Sequence, residues 1–264
     1  MLLGAFLAAW GAGVTGTPWG GLAMAILGGM LMAALHAWVS ITLRLDQIVS
    51  GIAMIVLGIG LSSYGFRVTL GAGEPVAVTS FTQLDLGPLS DLPWIGPALL
   101  GHQFLVNVGI LMAALLFVFL YRTSWGLEIR AIGESPAAAD AVGLQVAAVR
   151  YGCTLFGGAM ARIGGAFLAI VHINTFVENM VAGRGFIAIA CVVYGRWNPL
   201  GVMVAALFFG IADAAQIRLQ ALNPDIPYQF FVMAPYVLAV VFLIVFAGRV
   251  QMPSALGVPF HGER

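Results

Sequence analysis

Six stretches of this chain, residues 20–42, 48–66, 101–121, 151–171, 200–219 and 228–247, are long, apolar and almost uncharged. Between them they hold only Arg162, Asp213 and Arg218 as charged residues. Crossing the hydrocarbon of a bilayer takes about 20 mainly apolar residues in a helix. Lipid offers no hydrogen bonds, so each run has to satisfy its own backbone, and an α-helix does so within one segment. The pattern therefore predicts an all-α, polytopic transmembrane helical bundle of about six full spans. Residues 185–194 form a shorter apolar run, expected to be a partial or re-entrant helix. Residues 2–13 are apolar but too short to span, and they lack the basic start of a signal peptide. The whole chain, 1–264, reads as a single transmembrane domain.

Composition agrees and narrows the options. Hydrophobic residues make up 61% and charged residues 8%. A soluble domain covers its surface with about 25% charged residues, so lipid must be the main solvent here. The net charge is zero, and no field argues for a nucleic-acid partner. Every basic side chain other than histidine is arginine. Without lysine there is no P-loop lysine, no Schiff-base lysine and no Ser-x-x-Lys pair. Cys153 and Cys191 lie far apart in apolar runs and read as small buried residues. His36, His102 and His172 show no metal spacing and read as interfacial or packed, so neither a metal nor a cofactor is expected. The run GRGFIA, residues 183–188, matches a dinucleotide-binding pattern, but apolar helices flank it and no strand precedes it. Its glycines read instead as a turn before a short helix.

Arginine placement orients the chain. Arg44, Arg122, Arg130, Arg150, Arg196 and Arg249 fall at one set of span ends. Arg67, Arg184 and Arg218 fall at the other, with a loop 67–100 carrying Glu74, Asp85, Asp91 and four prolines. The positive-inside rule places loop 122–150 and the C-terminus in the cytoplasm, and loop 67–100 outside. Within the inner loop, residues 130–144 read as a short water-facing helix. Ser135 caps it, Pro136 fits its first turn and Gly143 ends it. Ala137, Ala138, Ala139 and Ala141 give it a slim surface, while Arg130, Glu134 and Asp140 supply charge.

Two stripes of small residues, Ala25, Gly29, Ala33, Ala37 and Gly157, Ala161, Gly165, Ala169, recur every four positions. Such stripes let helix backbones approach closely in lipid. Polar groups at membrane depth are expensive and mark functional positions. Arg162, Glu178, Asn179, Asp213 and Gln216 form that set, and with Gly183, Gly185 and Phe186 they are the candidates for a translocation path. At about 1.5 Å per residue, Arg162 lies roughly 16 Å and Asp213 roughly 20 Å above the inner ends of their spans. Asp213 is thus the expected partner of Arg162, with Glu178 second. Phe176, Phe186, Phe208 and Phe209 are read as packing residues, with stacking on a base or sugar as the alternative.

The run RTSWGLEIRAIGESPAAADAVGLQVAAVRY resembles the cytoplasmic loop of the permeases shared by branched-chain amino acid, ribose and nucleoside ABC importers. DQIVSGIAMIVLGIGLSSYGFR, PLSDLPWIGPALLGHQ, ENMVAGRGFIAIACVVYGRWNPLG and FGIADAAQIRLQ are similar, in order, to further segments of the nucleoside and simple-sugar branch. The resemblance implies a permease subunit in the plasma (inner) membrane of a prokaryote. It implies that cytosolic ATP-binding subunits grip the helix at 130–144, with Arg130, Glu134, Ser135, Pro136, Ala137, Asp140 and Gly143 as coupling residues. A second permease subunit and an extracytoplasmic substrate-binding lipoprotein complete the implied assembly. The substrates implied are nucleosides, then simple sugars, then amino acids. It also implies further membrane helices ahead of the position that corresponds to Met1. The alternative function is a secondary transporter or channel working without ATP; a membrane enzyme has no catalytic constellation to support it.

Overall fold

A computed structural model describes residues 1–69, 71, 78, 80, 81, 103–222, 227–246 and 252–260. Among these residues every regular element is a helix. In chain order they are α1 (Leu2–Thr15), α2 (Pro18–Ala37), α3 (Gln47–Thr69), α4 (Phe104–Arg122) and α5 (Ser124–Glu134). Then come α6 (Pro136–Ala141), α7 (Val146–Ala166), α8 (Arg184–Tyr194), α9 (Pro199–Leu222) and α10 (Tyr228–Phe246). Most of loop 67–100, together with His102 and Arg249, lies outside the described residues.

Among the described residues, five helical stretches are long and apolar enough to cross a membrane: Pro18–Thr42, Gln47–Thr69, Phe104–Arg122, Val146–His172 and Pro199–Leu222. The run 228–247, expected as a sixth span, holds α10, which is not one of these five, and the short run at 185–194 holds α8, of 11 residues.

The chain divides into two compact units. Unit one holds residues 1–109, 128–182 and 255–264. Its centre is α1, which buries Leu3, Gly4, Ala5, Phe6, Ala8, Ala9, Gly11 and Ala12 against α2, α3 and α7. Small side chains on every face make this possible, because neighbouring backbones can close in from several directions. A Cβ added to Gly21 of α2 would stand 2.3 Å from the Ala8 carbonyl oxygen, and one on Gly158 of α7 only 2.3 Å from the Ala33 Cβ. Aromatic rings finish the core, with Phe176 set edge-on to Phe6 at 5.8 Å and tilted against Phe66 at 5.1 Å.

The expected stripe on α2 is buried throughout, at Ala25, Gly29, Ala33 and Ala37. On α7 the expectation needs correcting. Gly157 and Ala161 are exposed, and the packing face runs instead through Gly158, Arg162, Gly165 and Ala166. The expected residues Gly165 and Ala169 are buried. Beyond Ala166 the helix continues in π form over Phe167–His172. The departure lies before the π segment: at 3.6 residues per turn a strict repeat of four drifts around the helix, so the packed face passes through Gly158 and Arg162 rather than Gly157 and Ala161. Cys153, expected to be buried, is exposed on the outward face of α7, whereas Cys191 is buried as expected.

Unit two holds residues 110–127 and 183–254. Here α8 and α9 form a tight hairpin in which a Cβ on Gly195 would stand 2.3 Å from the Val202 nitrogen. Tyr194 stacks on Phe209 at 5.9 Å and donates its hydroxyl to the Ala239 carbonyl of α10. At the corner between α4 and α5, the Thr123 hydroxyl donates to the Phe119 carbonyl at 2.6 Å and accepts from the Gly126 N–H at 3.1 Å.

Candidate functional site

The segment from 124 to 150 is built by local rules. Helix α5 ends at Glu134, so Arg130 and Glu134 belong to it rather than to the helix that follows. Ser135 then adopts an extended conformation and its side chain accepts from the Ala138 N–H at 3.4 Å, with Pro136 in the first turn of α6. At the other end the Gly143 N–H donates to the Asp140 carbonyl at 2.9 Å and the Leu144 N–H to the Ala139 carbonyl at 3.1 Å. This bond pair, with Gly143 at φ 89, is a Schellman cap, and the positive φ is what requires glycine there. Both ends of a six-residue helix are thereby closed. Ala139 turns inward onto Ile132 and Val146, while Ala137 and Ala138 stay exposed.

The backbone between α7 and α8 is irregular. Asn174, Asn179 and Ala182 take positive φ, and Gly183, at φ 81, begins α8. Non-glycine residues rarely adopt this conformation, and clusters of it mark places where the surroundings dictate the backbone. Within unit one, Glu178 accepts from the Arg67 Nε at 3.3 Å, and both are exposed. Asn179 is exposed beside it. Within unit two, an Asp213 carboxylate oxygen lies 3.9 Å from the Arg184 guanidinium. Gly183 faces the Tyr236 hydroxyl, which a Cβ there would approach to 3.3 Å. Gly185 and Gln216 are half-buried and Phe186 is 68% exposed.

Glu178, the second choice as partner for Arg162, is engaged by Arg67 within unit one. Asp213 pairs with Arg184 within unit two. Depth along a span sets height but not azimuth. Arg162 lays its aliphatic stem in a slot made by two glycines. A Cβ on Gly4 would meet its backbone at 2.8 Å, and one on Gly29 would meet its Cγ at 2.3 Å. A long basic side chain commonly buries its stem this way while its charge seeks a wetter end.

The remaining singled-out residues have structural partners. His36 shares a hydrogen bond of 2.9 Å with Ser50, and His172 stacks on Phe167 at 6.4 Å. Phe176 and Phe209 are buried, and Phe208 sets its edge on Phe209. Among the described residues no group of His, Cys, Asp or Glu is placed to hold a metal ion.

Comparison with known proteins identifies the framework. Residues 1–247 match the profile of the family described as the branched-chain amino acid transport system, permease component. The chain belongs to this permease family. It is a multi-pass membrane protein of a transporter family rather than an enzyme family. The guanosine ABC transporter permease protein of Bacillus subtilis (strain 168) is 34% identical over 94% of this chain and 79% of its own length. The nucleoside ABC transporter permease protein NupC of Lactococcus lactis subsp. cremoris (strain MG1363) is 32% identical over 92% and 78%. A putative glucose ABC transporter permease protein of Haloferax volcanii is 36% identical over 81% and 66%. No solved structure matches significantly.

In this permease, sequence reasoning found the caps of α6 but missed three contacts. Arg184 was assigned to a span end rather than to Asp213. Arg67 was assigned to topology rather than to Glu178. The contacts of residues 255–260 with the α5–α7 segment gave no signal, because tail residues of that kind follow no period.

Proposed function

We propose that this permease is one membrane subunit of an ABC importer for nucleosides, gripped from the cytoplasm by separate ATP-binding subunits through α6. The observation that carries the coupling role is the double cap on α6. A six-residue helix closed at both ends, with a bare alanine face, is a rigid peg small enough for a groove. The absence of lysine from the sequence fits ATP hydrolysis on another chain, since P-loop sites use a lysine. The guanosine and nucleoside relatives support nucleosides as cargo. The glucose relative supports simple sugars as the second reading.

In this reading the chain crosses the membrane six times, with α10 as the last span and the C-terminus in the cytoplasm. An extracytoplasmic binding protein delivers substrate to a path shared with a second permease. Arg162, Glu178, Asn179, Gly183, Gly185, Phe186, Asp213 and Gln216 are its candidate lining. Arg130, Glu134, Ser135, Pro136, Ala137, Asp140 and Gly143 serve coupling.

Three experiments test this. Affinity purification of the tagged chain from its own host should bring down an ATPase, and labelled guanosine uptake should stop when ATP is depleted. Uptake that persists without ATP would remove the ABC reading in favour of a secondary transporter. Thr69→Cys should react with an impermeant thiol reagent only from outside and Ala138→Cys only from inside. Labelling of both from one side would reject the orientation.

A further inference from the structure

The C-terminal tail folds back onto the coupling segment, at three separate points. The Ala255 N–H donates to the Gly133 carbonyl in the last turn of α5 at 3.0 Å. The Val258 carbonyl accepts from the Arg150 Nη1 on α7 at 3.0 Å. Phe260 packs on the small cluster of Ile132, Ala139 and Val146, where it is the one aromatic ring among the described residues. It also walls a cavity of about 440 Å³ that Arg44 and Asp140 share.

The tail is prepared for this by its sequence. Pro253 and Pro259 fix two φ angles, Gly257 turns at φ 76, and the Val258 N–H closes a turn onto Ala255 at 3.3 Å. A segment already restricted loses little entropy when it docks.

Helix α6 needs such help. Isolated helices shorter than about 12 residues do not hold in water, and the caps of α6 close its ends without anchoring it sideways. Ala139 is its single buried residue, resting on the cluster that Phe260 completes. Transmitting force through a peg requires that the peg resist sideways displacement.

We infer that residues 255–260 are a strap that fixes the pose of α6, with Phe260 and Arg150 as positioning residues for coupling. The inference rests on the reading of α6 as the ATPase-docking element. It is tested in the complete transporter, reconstituted with its ATPases and binding protein, by comparing the chain ended after Ser254, Phe260→Ala and Phe260→Leu. Two quantities are read: hydrogen exchange of residues 136–144, and substrate carried per ATP hydrolysed.

Phe260→Ala and the truncation should speed exchange of α6 about tenfold, equivalent to about 1.4 kcal/mol of local opening. Substrate carried per ATP should fall, with hydrolysis retained, and Phe260→Leu should recover most of both. Unchanged exchange in Phe260→Ala overturns the strap, and so does faster exchange with undiminished coupling. If truncation prevents assembly, the Ala and Leu variants decide alone. A Glu134→Arg, Asp140→Arg variant separates the two readings. If it couples normally, the docking role of α6 fails; if it uncouples while the tail variants behave like the parent, only the strap fails.

Discussion

Helix α1 and helix α9 are built from the same kinds of residue and end up in opposite surroundings. The first has 14 residues, too few to cross a bilayer, and buries eight of them. The second has 24, long enough to cross, and buries only Phe209. Both are rich in alanine and glycine. What separates them is company: α2, α3 and α7 pack on α1, whereas α9 meets α8 and α10. In lipid an exposed leucine costs nothing, so apolar content does not decide which helix becomes core. Close backbone approach does. The bare faces of α9 and α10 suit lipid or another subunit, and the crowded faces of α1 leave room for neither.

The comparison breaks most directly at glycine. Gly21→Leu places a side chain where a Cβ alone would stand 2.3 Å from the Ala8 carbonyl oxygen. It should cost about 3 kcal/mol or more through overpacking. Gly210→Leu on α9, where a Cβ meets nothing within 4 Å, should stay within about 0.5 kcal/mol. Thermal unfolding in detergent reads both, and equal losses would erase the distinction between the two regions.

Arg162 sharpens it next. If the glycine slot holds the stem, Arg162→Ala should lose about 2 kcal/mol by leaving a cavity, and Arg162→Met should recover most of that. A Met variant as unstable as Ala would show that the charge, not the stem, is what the slot holds. Uptake by the Met variant then tells whether the guanidinium has a transport role of its own.

A smaller effect is expected in unit two. Arg184 and Asp213 are 3.9 Å apart with side chains 37% and 42% exposed. A double-mutant cycle to alanine should give a coupling of less than about 1 kcal/mol, as for exposed pairs. A larger coupling would mean that the pair is shielded in the assembled transporter. The smallest effect is chemical: a lipid-soluble maleimide should modify Cys153 before Cys191, since only Cys153 is exposed. The reverse order would place α7 in an interface.

What the sequence disclosed follows how local each interaction is. Ser135, Pro136 and Gly143 were legible because capping involves residues three or four positions apart. Spans were legible because hydrocarbon thickness sets their length. The α2 stripe was legible as a repeat, but on α7 the first half of the packing face was one residue off, at Gly158 rather than Gly157. The partners of Asp213 and Glu178 were not legible, because a span gives the height of a residue and leaves its rotation free. The tail was not legible, because its contacts with Gly133, Arg150 and Ala139 join positions over a hundred residues apart.

The lengths of the two central helices carry a last consequence. Pro18–Thr42 has 25 residues and Val146–His172 has 27. At about 1.5 Å per residue they measure about 37 and 40 Å, against a hydrocarbon core of about 30 Å. Such an excess is taken up by tilt or by local thickening of the bilayer. A thinner membrane asks for more tilt, and it asks this of two helices whose backbones already touch at Gly29 and Gly158. Bilayer thickness therefore acts directly on a close backbone contact of unit one, and lipid chain length becomes a variable of the transporter itself.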